Sequence, residues 1–132
     1  MLHFIEQEII DNFIISNRKE RLYWELCNIK KRENIMLKRF AGPTLFKKDC
    51  LQPVKYMPPE MLMVQLLDLG GSNQTYFMGE EYIGTLSLRD AVFRADNGEI
   101  CIIYCGNGVG YYQGEELGSP PRFLLVQKRR TI

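Results

Sequence analysis

The stretch Glu99-Ile-Cys-Ile-Ile-Tyr-Cys-Gly-Asn-Gly-Val-Gly-Tyr-Tyr-Gln-Gly114 constrains the fold of this chain more than any other. From Ile100 to Cys105 there is no charge, and the Tyr104 hydroxyl is the only strongly polar side-chain group. A short apolar run, rich in isoleucine and bounded by glycine, is the pattern of a strand buried on both faces. Alternation along that strand places Ile100, Ile102 and Tyr104 on one side, with Cys101, Ile103 and Cys105 on the other. Gly106-Asn107-Gly108 then predicts a hairpin, because Asn-Gly tolerates positive φ, and Val109–Gln113 returns antiparallel.

Gly106, Gly108 and Gly110 also have the look of a phosphate loop. Such a loop needs a helix N-terminus behind it, whose amides and dipole face the anion. The residues that follow are Tyr111-Tyr112-Gln113-Gly114, which are not helical, and no Gly-Lys-Ser/Thr is present. The glycines therefore read as a turn.

At 132 residues the prior is a single domain over 1–132, with a helical region at 1–42 and an α/β part at 58–127. Leu2, Ile5, Ile9 and Phe13, with Ile10 and Ile14, form one apolar helical face. Ser16-Asn17 interrupts it, and Asn17 with Glu20 suggests the start of a second helix carrying Leu22, Tyr23, Leu26 and Ile29 inward. Asn28 caps a third helix over Lys30–Phe40, which Gly42-Pro43 terminates. Trp24 within this region reads as a packing residue.

Thr44–Met57 is a connector with room for a short strand. Pro58-Pro59-Glu60 opens a helix over Met61–Leu69, since proline and a carboxylate both suit a first turn. Thr75–Met78 reads as a strand, Gly79–Gly84 as a loop, Leu88–Ala95 as a helix capped by Thr85 or Ser87, and Arg122–Gln127 as the last strand. Strand, helix, strand implies that Thr75–Met78 and Ile100–Cys105 run parallel through a crossover. The expected fold is α+β: an N-terminal helical region packed on a small mixed β-sheet of about four strands. That sheet contains a β-α-β unit and a C-terminal hairpin.

Charge is segregated along the chain. Residues 1–58 carry eleven Lys/Arg against seven Asp/Glu, residues 59–118 two against nine, and residues 119–132 four against none. The net charge of +1 thus hides segments of +4, −7 and +4. A bipolar surface suits partner recognition or self-association.

The chemistry-bearing motifs are sparse. His3 is the only histidine, no Cys-x-x-Cys occurs, and the four cysteines read as core or free thiols, so neither a metal site nor a catalytic residue is expected. No cofactor is implied. There is no run of eighteen apolar residues, and the first residues lack the basic segment of an export signal, which points to a cytoplasmic location and no membrane partner. In the expected topology the loops 79–84 and 106–110 share one sheet edge, the usual crevice of parallel sheets. Glu80, Glu81, Tyr82, Asn107, Tyr111 and Tyr112 are accordingly the candidate binding residues, and a small enzyme would have its site there. Arg18, Arg21, Lys30, Lys31, Arg32, Lys38 and Arg39 form the alternative, a nucleic-acid-contacting face.

Arg21-Leu-Tyr-Trp-Glu-Leu26 with Lys30-Lys-Arg32 and Arg39-Phe40, Leu86-Ser-Leu-Arg-Asp-Ala91, and Tyr111-Tyr-Gln-Gly-Glu115 with Pro120-Pro-Arg-Phe-Leu-Leu125 together span most of the chain. In these pieces the sequence resembles a loosely defined group of small, uncharacterised bacterial proteins. The resemblance implies a non-catalytic protein of immunity or accessory type, and hence a protein partner. The leading expectation is a cytoplasmic protein-binding module of toxin-neutralising or accessory type; nucleic-acid binding and a small enzyme are the alternatives.

Overall fold

The computed structural model describes residues 3–115 and 120–127. The N-terminal layer contains α1 (Phe4–Phe13), a 3-10 turn at Ser16–Arg18, α2 (Lys19–Cys27), α3 (Ile29–Arg32) and α4 (Ile35–Phe40). The His3 ring nitrogen accepts from the Ile5 amide and so caps α1. Asn28 caps α3 by accepting from the Lys31 amide, as its position predicts. The helix expected to run from Lys30 to Phe40 is broken, because Asn34 adopts a left-handed φ of 60°. Asn17 supplies no cap: α2 starts after Arg18 without a side-chain hydrogen bond.

Among the described residues six strands follow: β1 (Leu51–Pro53), β2 (Gln74–Gly79), β3 (Ile83–Ser87), β4 (Cys101–Tyr104), β5 (Val109–Gln113) and β6 (Arg122–Val126). The two helices on the other side of the sheet are α5 (Pro59–Asp68) and α6 (Leu88–Ala95). Pro59 sits in the first turn of α5, and the Ser87 hydroxyl accepts from the Asp90 amide to cap α6. The fold is α+β, and none of its helices among the described residues is long and apolar enough to cross a membrane.

The strand order is β1-β6-β5-β4-β2-β3, and every pairing is antiparallel. The expected mixed sheet is therefore corrected. Thr75–Met78 lies within β2, which runs antiparallel to β4, with Tyr76 opposite Tyr104 and Gly79 opposite Cys101. The cause is β3, a strand over Ile83–Ser87, where the sequence predicts the end of a loop and a helix cap. β3 returns beside β2, so α6 connects β3 to β4, two strands of the same direction that flank β2. The strand-helix-strand connection exists, but it straddles a third strand.

Each face of β4 meets its own core. Ile100, Ile102 and Tyr104 join the N-terminal helices, among Phe13, Met36, Phe40 and Phe46. Cys101, Ile103 and Cys105 join Leu62 and Leu66 of α5 and Leu88, Ala91 and Val92 of α6. All six are buried, as the apolar run requires. The hairpin turn uses Gly106, Asn107 and Gly108 at φ of 76°, 54° and 72°. Gly110 is needed for a different reason: a Cβ there would lie 2.6 Å from the Ile103 carbonyl oxygen.

Candidate functional site

A cavity opens between the start of α5 and the end of α6. Its volume is about 360 Å³, within the lower part of the range for small-molecule sites. Pro59 and Leu62 of α5 and Val92 and Ala95 of α6 form apolar walls, and Tyr111 and Gln113 of β5 lie at its base. The base is held by a closed set of hydrogen bonds. The Tyr111 hydroxyl donates to Gln113 Oε1 at 2.9 Å, and Gln113 Nε2 donates to the Ala95 and Glu99 carbonyls, each at 2.7 Å. Burial pushes the Tyr111 hydroxyl well above its ordinary pKa, and the nearby Arg122 pulls it only part of the way back.

The rim is charged. The Tyr56 hydroxyl donates to Asp96 Oδ1 at 2.8 Å, and the Arg122 guanidinium lies over the Tyr56 ring, 5.3 Å from its centre. The hydrogen bond from Tyr56 to Asp96 raises the Tyr56 pKa, since it favours the protonated phenol. Outside the cavity, α5 turns a second apolar side to solvent. Met61 is 53% exposed, Val64 52% and Leu67 38%, while Leu69 just beyond the helix and Phe93 on α6 are also exposed. The same two helices carry Glu60, Asp68 and Asp90, with Asp96 at the end of α6, against Arg89 and Arg94; Arg89 stacks on Phe93.

The residues singled out from sequence do not form one site. The 79–84 loop follows the end of β2 that faces the start of β4, whereas Gly106–Gly110 lies at the other end of β4. The shared edge was a consequence of the parallel arrangement and disappears with it. Glu80 Oε1 accepts from the Ile100 amide at 2.9 Å, and Glu99 Oε2 accepts from the Glu81 amide at 3.3 Å. Arg94 stacks over Phe77 and Tyr82, with Nε 2.8 Å from Glu99 Oε1 but too poorly aligned for a hydrogen bond. Glu80, Glu81 and Tyr82 thus close the sheet end. Asn107 donates to the Gly70 carbonyl at 2.9 Å. Tyr112 is wholly buried on the opposite face, where its hydroxyl donates to the Phe40 carbonyl at 2.6 Å. Tyr111 alone of the six reaches the cavity.

Two of the seven basic residues are engaged in ion pairs. Arg32 grips Glu6 through both Nη atoms, at 2.8 and 2.6 Å, and Arg39 grips Glu25 through Nε and Nη2, at 2.9 and 2.5 Å. Arg18, Arg21, Lys30, Lys31 and Lys38 remain exposed. Trp24 does not pack inward as expected; it is 54% exposed beside Arg21 on α2. His3 stacks on Phe4 and Tyr76. Cys27 is exposed, and Cys101 and Cys105 are buried thiols, Cys105 pushed up by desolvation to about 12. Among the described residues no group of three or more His, Cys, Asp or Glu could hold a metal ion.

Sequence reasoning missed Tyr56, Asp96, Gln113 and Arg122. In the sequence Asp96-Asn97-Gly98 signals no more than a helix stop, and Arg122 no more than the first residue of a strand. Comparison with known protein families, curated proteins and solved structures finds no match.

Proposed function

We propose that this chain is a protein-binding module that presents α5 and the adjoining surface of α6 to a basic protein, as a toxin-neutralising or accessory protein would. The observation that supports this reading is the outer side of α5. Met61, Val64 and Leu67 stand in water on a helix whose opposite side, Leu62 and Leu66, already fills the core. Exposed apolar residues with a charged rim are typical of association surfaces. Glu60, Asp68, Asp90 and Asp96, on or at the ends of α5 and α6, outnumber Arg89 and Arg94 there, so the complementary partner is cationic around an apolar centre.

The test compares capture by the wild-type chain with capture by Val64→Glu and Met61→Glu, using extract of the native host. A basic protein retained by the wild type, lost with either variant and released by salt is the expected outcome. Equal retention by all three chains would remove α5 from the interaction. A basic-face reading, nucleic acid on α2–α4, draws on exposed Trp24 beside Arg21. It predicts salt-dependent binding to RNA or DNA that Lys30→Ala with Lys31→Ala weakens. No binding at low salt would dispose of it.

A further inference from the structure

We propose that the cavity between α5 and α6 binds a small zwitterion, an α-amino acid with an apolar side chain, its carboxylate on Arg122 and its ammonium on Asp96. The inference stands on the cavity and does not depend on the protein-binding reading of α5.

Two opposite charges line this one space without neutralising each other. Arg122 and Asp96 make no ion pair with one another, nor does either make one with any other side chain among the described residues. Tyr56 separates them: its hydroxyl holds Asp96 Oδ1 and its ring supports Arg122. A guanidinium has five N–H donors in a planar fork suited to a carboxylate. Arg122 stacks on the Tyr56 ring and reaches the Tyr111 hydroxyl with part of that fork, which leaves its other N–H donors for a carboxylate. On Asp96 the hydrogen bond from Tyr56 occupies Oδ1, and among the described residues no other side-chain hydrogen bond reaches the carboxylate. Asp96 is also the C-cap of α6, where the negative end of the helix dipole adds to the attraction for a cation.

The remaining polar groups do not compete for the ligand. Gln113 uses both amide hydrogens on the Ala95 and Glu99 carbonyls, and its oxygen receives the Tyr111 hydroxyl. The base is therefore fixed before anything binds, which lowers the cost of ordering the site. Between the charged ends the walls are Met57, Pro59, Leu62 and Val92, an apolar surface for a side chain. A ligand with one charge would satisfy only one end and leave the other as it is. A zwitterion satisfies both at once.

Isothermal titration of the full chain with leucine tests this, alongside glycine, methionine and phenylalanine. Two analogues of leucine, each missing one charge, are the controls: 4-methylpentanoate lacks the amine and 3-methylbutylamine lacks the carboxylate. The apolar amino acids should bind, glycine more weakly, and each single-charge analogue about tenfold more weakly or worse, from the loss of a charge-assisted hydrogen bond. Arg122→Met and Asp96→Asn should each weaken leucine by a similar factor, Arg122→Lys by less, and Lys48→Ala not at all. Urea midpoints identify any variant that fails to fold, and the analogue comparison needs no variant. No heat with any of the amino acids at millimolar concentration would overturn the proposal. So would analogues that bind as well as leucine, or a folded Arg122→Met chain with unchanged affinity.

Discussion

The two faces of the sheet are built differently. The N-terminal face is deep and bolted. Three tyrosines on adjacent strands send hydroxyls into the helical layer: Tyr76 to Glu6 at 2.5 Å, Tyr104 to Asn12 at 3.0 Å and Tyr112 to the Phe40 carbonyl at 2.6 Å. Phe40, Phe46 and Tyr112 pack ring against ring behind them. On the other face α5 and α6 supply aliphatic residues and alanines, leave a cavity at their ends and keep Met61, Val64 and Leu67 outside. On the N-terminal face the sheet's polar groups are satisfied inside the core, while Trp24, Ile29 and Leu37 stay exposed on the outer helices; on the other face the cavity opens apolar walls and charged groups together to solvent. A protein stabilised by the first can use the second for contact.

The comparison breaks most readily at its deepest point. Phe13, fully buried on the N-terminal face, packs edge-on against Tyr104. Phe13→Ala should cost about 3–5 kcal/mol, from lost burial and the cavity left behind. Ile102→Ala, at the centre of β4, should cost about 2–5 kcal/mol. Urea unfolding measures both, and an Ile102→Ala chain as stable as wild type would contradict the placement of β4 in the core.

Next is the buried pair. Burial pushes the Glu6 carboxyl up, but Arg32 and Tyr76 more than offset this and hold it below the ordinary 4.5; at Glu25 the hydrogen bond from Arg39 leads the lowering. Folded values below the ordinary one give stability that is complete above pH 4.5 and is lost as pH falls through the folded values. Glu6→Gln should therefore lose about 3 kcal/mol at neutral pH, since it leaves the Arg32 charge without its partner. Its stability should then fall less steeply below pH 4.5 than that of the wild type. Parallel acid limbs for the two chains would show that Glu6 is not the titrating group.

Smaller effects sharpen the contrast. Glu80→Ala should cost about 1 kcal/mol, because the Ile100 amide loses its acceptor. A reading of Glu80 as solvated loop charge would give about half of that or less. Val64→Glu should change stability by no more than about 0.5 kcal/mol while abolishing partner capture, since the side chain is half in water already. A large loss of stability there would mean that α5 buries this side against part of its own chain.

Much of the fold was legible because the signals are local. The apolar run with alternating sides, the Gly106-Asn107-Gly108 turn, proline at the start of α5 and Ser87 at the start of α6 each act within a few residues, and each is found where its chemistry places it. β3 was hidden because Ile83-Gly-Thr-Leu-Ser87 is a half-covered edge strand with a glycine, without the apolar weight of β4. That one omission reversed the direction assigned to β2 relative to β4 and brought two distant loops to a single edge on paper. Pairing direction is a long-range property: it depends on which strand lies between two others.

What the sequence determined by itself, then, was the α+β class, the buried central strand and its hairpin, the helical N-terminus and the division of charge along the chain. Tertiary structure alone decided the antiparallel order, the pairing of Arg32 with Glu6 and of Arg39 with Glu25, the exposure of Trp24 and the meeting of Tyr56, Asp96 and Arg122 around one cavity. The reason is range. Propensity, alternation and capping are fixed by neighbours along the chain, whereas Tyr56 reaches Asp96 across forty positions, and no local rule links residues that far apart.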